Sequence, residues 1–262
     1  MLRPVTCLAL LSLFASPAAA QVALPVSTPT ESASTAAGGP PPVVPSVGSL
    51  FRAVGGDFRR LPSRNSAIVL GVAGGLSLGA YHDDVRITRT LAGSQALDAV
   101  FGPGAAIGAT LTQVGGALTT YVLGRATRHP RVAVIGAELV RAQLMNGVLT
   151  LGIKVSVGRR RPNGGRLSFP SGHTSSSSAT AAVLQRRLGW KVGLPAYGLA
   201  AFVAGSRLQE NRHFMSDVIF GAGIGIVSGR SVTVGRGTAT FAAAPFAVAR
   251  GAGVGFAWVG RQ

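Results

Sequence analysis

Between Ser66 and Ser228 the apolar positions fall into runs of helix length, parted by short polar or Gly/Pro-containing joins. The runs are Ser66 to Ala80, Gly104 to Gly124, Arg131 to Val157, Thr174 to Leu188, Lys191 to Ser206 and Phe214 to Ser228. Their spacing, alanine content and short joins predict a mainly α protein with a six-helix bundle core. Pro195 falls in the first turn of the fifth run, where proline is tolerated. Ahead of the bundle, Leu50, Phe51, Val54, Phe58 and Leu61 stand near helical spacing and predict a short amphipathic element packed across the body. After Arg230 the period changes to two, as in Val232/Val234 and Val254/Phe256/Trp258, with Gly235, Gly237, Pro245, Gly251 and Gly253 as punctuation. That pattern predicts a short β-rich tail over 231–262, closing one side of a helical domain over 49–230.

The amino terminus has a different character. Arg3, the apolar run Leu8 to Phe14 and Ala18-Ala19-Ala20 before Gln21 have the order of an export signal over 1–20. A first membrane anchor is the alternative, but the apolar run is too short to cross a bilayer. Residues 21–48, rich in Pro, Ser, Thr, Ala and Gly, cannot build a core and read as a flexible leader. Cys7 is the one cysteine and precedes the apolar run, so a mature chain has no disulfide and suits an oxidising compartment without needing it.

The mean hydropathy is positive, which leaves a soluble and a membrane-bound bundle both open. The fourth run begins with serines and carries Arg186-Arg187, the third carries Glu138 and Arg141, and the fifth is only about 24 Å long as a helix. Gly104 to Gly124 is long and uncharged but diluted by glycine and threonine. These features favour an exported, periplasmic bundle of buried Gly/Ala-rich helices that rests on a membrane surface.

Charge narrows the partners. Without Arg3 the chain holds 24 basic against 8 acidic residues, a balance that suits an anionic substrate or an anionic membrane surface. Nucleic acid fits poorly, because no recognisable binding motif, lysine block or aromatic-studded basic sheet pattern is present. Only Lys154 and Lys191 are lysines, which makes the position of Lys154 informative.

Three short stretches carry candidate chemistry. Lys154 and Arg161-Pro162 lie where Gly158 and Pro162 end the third run; the proline biases Arg161 toward extended backbone, able to aim across a pocket mouth. A basic helix end complementing the helix dipole, with Arg159 to Arg161 beside Lys154, is the plainer alternative. Pro170-Ser171-Gly172-His173 opens the fourth run with a good N-cap, free amides for an anion and a glycine that permits close approach. An ordinary capped helix with a surface histidine would look the same. Arg207, His213 and Asp217 form the third stretch, with His213 and Asp217 one helical turn apart. A carboxylate there can fix the tautomer of the imidazole and leave its other nitrogen free as a nucleophile. Short joins between runs of similar length return all three stretches to one end of the bundle, where cations and a helix N-terminus would surround a tetrahedral oxyanion.

The order Lys154…Arg161-Pro162, Pro170-Ser171-Gly172-His173, Ser206-Arg207…His213…Asp217 resembles the three-part signature of the type 2 phosphatidic acid phosphatase superfamily. That superfamily includes lipid phosphate phosphatases, bacterial acid phosphatases and vanadium haloperoxidases. The resemblance implies a helical core of the acid phosphatase/haloperoxidase type. It also implies a phosphatase in which Lys154, Arg161, Arg207, Ser171 and Gly172 bind phosphate. His213 would attack phosphorus, Asp217 would hold its far nitrogen, and His173 would serve the leaving oxygen and then the water. Phosphoryl transfer relies mainly on charge stabilisation and positioning, which these residues would supply with no metal and no cofactor. His82 and His129 lie outside the signature and receive no role. Expected substrates are phosphorylated small molecules or lipids, monoesters or diphosphates. A vanadate-holding peroxidase and a non-catalytic anion-binding envelope protein remain the alternatives.

Overall fold

The computed structural model describes residues 44–92, 95–233, 240–248 and 251–259. The predicted signal over 1–20 and the leader as far as residue 43 lie outside the described residues.

Among the described residues the protein is mainly helical. The helices are α1 (Val47–Arg60), α2 (Arg64–Tyr81), α3 (Asp84–Leu91), α4 (Gln95–Phe101) and α5 (Pro103–Gly108), then α6 (Thr110–Ala126), α7 (Pro130–Val157), α8 (Gly172–Leu188), α9 (Trp190–Gln209) and α10 (Met215–Val232). Strands β1 (Thr240–Val248) and β2 (Gly251–Val259) pair antiparallel, with Thr240 opposite Val259 and Ala244 opposite Gly255. Helix ends follow local chemistry. Ser46, Ser63 and Ser171 cap α1, α2 and α8 by accepting from Ser49, Ser66 and Thr174 amides. Pro130 stands in the first turn of α7, and Gly158 ends that helix in the left-handed conformation, its amide bonded to the Lys154 carbonyl at 2.9 Å. Gly189, at φ +80, turns the chain from α8 into α9.

Two features differ from the sequence pattern. The run Gly104 to Gly124 is two helices, because Ala109 adopts extended backbone (ψ 140) between α5 and α6. The stretch between α2 and α5, where no element was expected, forms α3 and α4. At 8 and 7 residues they are too short to display a period.

Small residues dominate the contacts of α8. Helix α8 is the central element, packed on α7, α9 and α10, and its buried positions are Thr174 to Ala179, Ala181, Ala182 and Val183. Opposite it α10 presents Gly221, Gly225 and Gly229, one turn apart; a Cβ on Gly221 would sit 2.7 Å from the Ser171 carbonyl oxygen. These positions let two backbones touch, as small residues do between closely packed helices. Three of these serines are satisfied within the bundle: Ser175 and Ser177 donate to the Gly172 and His173 carbonyls, and Ser176 donates to Gln143.

Leu139, Val140, Met145, Val203, Ile224 and Val227 fill the core, but other large apolar side chains point outward. Ile68, Val72 and Leu76 on α2, Leu111, Leu118 and Val122 on α6, and Leu144, Val148, Leu151 and Val155 on α7 form exposed stripes at helical spacing. Among the described helices, α7 is long and apolar enough to cross a membrane. The charges that seemed to interrupt its run are paired: Glu138 accepts from Arg187, and Arg141 pairs with Asp57 of α1. Both acidic partners are buried, so these pairs leave the outward stripe of α7 uncharged.

Candidate active site

The site is assembled at the end of the bundle where α7 stops, α8 and α10 start, and α9 returns. Lys154, in the last turn of α7, donates to the Leu167 carbonyl at 2.7 Å. Leu167 holds a left-handed backbone (φ 60), local strain of the kind found where a loop is held for a purpose. Past Gly158 the chain turns tightly, the Arg161 amide donating to the Gly165 carbonyl at 2.7 Å with Gly164 at φ +85. This turn brings Arg161 into the same charge cluster as Lys154, His173, Arg207 and His213. The buried Nε of Arg161 has no hydrogen-bond partner.

Helix α8 begins beside Lys154: a Cβ on Gly172 would make ordinary contact, 3.8 Å, with the Lys154 Cε. Glycine is therefore not needed there to relieve crowding by protein atoms. Ser171 is fully buried; its hydroxyl serves as the N-cap, 3.0 Å from the Thr174 hydroxyl, and its amide donates to the Asp217 carbonyl at 2.9 Å. His173 follows, backed by α5, where a Cβ on Gly108 would stand 3.1 Å from the His173 Cβ.

Arg207, near the end of α9, is buried and bound to Glu210, which lies one turn further on. The Arg207 carbonyl accepts the amides of Arg212 and His213, at 3.0 and 3.2 Å, and so folds the loop that presents His213. His213 Nδ1 lies 3.5 Å from Asp217 Oδ2, inside the range of electrostatic attraction but short of hydrogen-bond geometry. Asp217 is the hub. Its Oδ2 accepts from Ser168 at 2.5 Å and from the Phe214 amide at 2.9 Å, and its Oδ1 accepts from Arg159 at 2.7 Å. The Phe214 contact closes the first turn of α10 in the manner of a capping box.

The electrostatics follow from this geometry. Burial pushes Asp217 up, but His213, Ser168, the Phe214 amide and Arg159 outweigh it and hold the carboxyl below its usual range. Burial lowers His213, against the pull of Asp217 and with the help of Lys154 and Arg161. His173 falls to about 4, first through burial and then through Arg207, His213, Arg161 and Lys154. Lys154 is lowered to about 8, by burial first and Arg161 second. The cluster is thus a concentration of positive charge that disfavours further protonation while no anion is present.

All eight residues singled out from the sequence, Lys154, Arg161, Ser171, Gly172, His173, Arg207, His213 and Asp217, lie at this end. Sequence reasoning missed Ser168, Arg159, Asp84 and Glu210. Ser168 and Arg159 bond Asp217 directly, Asp84 bonds Arg159 at 2.8 Å, and Glu210 occupies Arg207. His82 and His129 stand apart, at the ends of α2 and α7. A cavity of about 460 Å³ between α6, α7 and α8, lined by Gln113, Ile135, Leu139, Thr180 and Leu184 among others, contains none of the eight.

Residues 135–241 match the family profile of the PAP2 superfamily. They enclose all eight of these residues. A lipid A 1-phosphatase of Porphyromonas gingivalis is 40% identical over 90 residues, 33% of this chain; the matched part spans 20% of that curated relative. Among solved structures, LpxE of Aquifex aeolicus aligns with 57% of this chain and 93% of its own at 23% identity and a TM-score of 0.48. A transmembrane PAP2-type phosphatidylglycerolphosphate phosphatase of Bacillus subtilis aligns with 70% of this chain and 92% of its own at 19% identity, again with a TM-score of 0.48.

Proposed function

We propose that the protein is a metal-independent phosphatase that hydrolyses phosphate esters of lipids through a phosphohistidine. The observation that carries this reading is the convergence of Lys154, Arg161 and Arg207 on the N-terminus of α8 beside His213, with the buried Arg161 Nε unpartnered. A buried guanidinium nitrogen without an acceptor is costly, and a phosphate oxygen would supply one. The match of residues 135–241 to the PAP2 superfamily profile supports the same chemistry.

In this mechanism Lys154, Arg161 and Arg207 hold the nonbridging oxygens, with the Gly172 amide at the helix N-terminus. Arg207 exchanges Glu210 for phosphate. Ser171, occupied as the N-cap, accepts the Thr174 amide and keeps that N-terminus in place. His213 attacks phosphorus in line through Nε2 while Asp217 faces its Nδ1. His173 donates to the leaving oxygen and then takes a proton from the water that frees phosphate. Its lowered pKa makes it neutral in the empty site, so the incoming phosphate's own negative charge promotes its protonation.

The same proposal covers the finer architecture and the setting. Helices α2 and α6 to α10 form the six-helix core, the strand pair is an appended tail, and the protein is exported by its first 20 residues. The outward Leu/Val stripes of α2, α6 and α7 face lipid, since exposed apolar area of this extent marks an interaction surface. A phosphorylated lipid lying in that same layer would present its headgroup at the bundle end. The P. gingivalis relative's name, lipid A 1-phosphatase, supports a lipid phosphate as substrate.

The decisive experiment is phosphate release by the purified full chain in detergent, across lipid phosphates, lipid diphosphates and soluble monoesters, with chelator present. Release from lipid esters in chelator supports the proposal. Phosphate binding without release from any ester overturns it in favour of an anion-binding protein, and halide oxidation by peroxide after vanadate loading overturns it in favour of a peroxidase.

A further inference from the structure

We propose that Arg159, held between Asp84 and Asp217, is a positioning residue that orients His213 through Asp217 and limits its basicity. The inference rests on the reading of His213 as nucleophile. Arg159 lies in the spacer between Lys154 and Arg161, outside the three motifs. One nitrogen donates to Asp217 Oδ1 and Ser216 Oγ, each at 2.7 Å, and the other to Asp84 Oδ2 at 2.8 Å. Asp84 also accepts the Ser216 amide at 2.9 Å, which ties the start of α3 to the first turn of α10. The guanidinium is centred 4.3 Å from the Phe214 ring and 5.0 Å from the Tyr81 ring, so both rings attract the cation. Side-chain exposure is 19% for Arg159, 2% for Asp84 and 0% for Asp217, so these charges interact with little screening by water.

The chemistry gives this arrangement a task. Asp217 turns Oδ2 toward His213 and Oδ1 toward Arg159. An unopposed buried carboxylate would orient the imidazole but also stabilise its protonated form, which cannot attack phosphorus. Arg159 withdraws part of that negative charge, so Asp217 orients His213 and leaves it neutral. Asp84 in turn sets how much of the Arg159 charge reaches Asp217. The other charged groups around His213 are Lys154 of α7, Arg161 of the following loop, His173 of α8, and Arg207 with Glu210 at the end of α9. None of them is altered by a change at Arg159 or Asp84.

The test is the pH profile of kcat/KM for a phosphate monoester, with the full chain in detergent, beside an NMR titration of the His213 imidazole in the same variants. Arg159→Gln is expected to raise the acidic limb and the His213 midpoint by about one pH unit, because a cation is lost from beside Asp217. Asp84→Asn, which keeps the shape, is expected to move both downward. The double variant is expected to return toward wild type, and Arg159→Lys to stay near it. Shifts of Arg159→Gln and Asp84→Asn in one direction, or no shift in either, overturn the inference. Should Arg159→Gln fail to fold, the sign of the Asp84→Asn shift decides alone. A wild-type chain that releases no phosphate overturns the proposed function instead, and the His213 titration still reads the effect of Arg159.

Discussion

Gly229 of α10 meets Ala179 of α8 so closely that a Cβ at position 229 would stand 2.6 Å from the Ala179 carbonyl oxygen. A backbone oxygen cannot swing aside as a side chain can. Gly229→Ala is therefore expected to destabilise the fold by about 1–3 kcal/mol through overpacking, despite the better helix propensity of alanine. The loss appears as a lower midpoint in thermal unfolding in detergent. Gly147→Ala on α7, where no neighbour lies within 4 Å, serves as the control and should be neutral or stabilising. Equal midpoints for the two variants would show that the α8–α10 contact does not limit stability.

The two histidines of the proposed mechanism separate by step. His213→Ala removes the nucleophile, so acid-quenched trapping should find no phosphoenzyme with any ester. His173→Ala keeps the nucleophile, so a nitrophenyl ester should still label the protein, and the label should persist for want of a base. Poor leaving groups should suffer more than good ones by about 10²–10⁴-fold, the usual worth of general acid help. Label on the His213 variant with none on the His173 variant would exchange the two roles.

His173 is expected to respond to an anion. Its pKa stands near 4 in the free site because burial and then four neighbouring groups, Arg207, His213, Arg161 and Lys154, oppose a further positive charge. Orthophosphate bound among the same cations adds negative charge and so favours the protonated imidazole. Histidine NMR titrations with and without orthophosphate should show the His173 midpoint rising. A midpoint that falls or stays would remove His173 as general acid.

Metal dependence is open to a direct check. If three cationic side chains and a helix terminus complete the phosphate site, strong chelation should leave turnover intact. Orthovanadate should inhibit as a mimic of the five-coordinate transition state. Activity lost to chelator and restored by a divalent ion would refute metal independence.

The parts legible in the sequence were those whose partners are near in the chain or marked by special residues. His213 and Asp217 are four residues apart, Ser171 announces the start of α8, and Gly158 announces the end of α7. The Arg159–Asp84 pair joins residues 75 apart, through a short helix with no readable period, so nothing local pointed to it. Mean hydropathy was ambiguous for a related reason. It counts a buried Ser175 and an outward Val148 by their chemistry and not by the side on which they lie. Paired charges such as Glu138 and Arg187 weigh in it as if each were alone.

The close packing of small residues between α8 and α10 has a consequence for how this chain tolerates change. In a protein bathed by water, the interior accepts exchanges among large apolar residues and the exterior accepts almost anything polar. Along the α8–α10 seam there is no volume to trade, because Ala179 and Ala182, both at 0% exposure, lie directly against Gly225 and Gly229. The outward Leu144, Val148 and Leu151 can be interchanged with any residue of similar oiliness. With the outward stripes in lipid, as proposed, a saturation library should punish an added methyl group at this seam, and on the outer face should penalise polarity while leaving shape free.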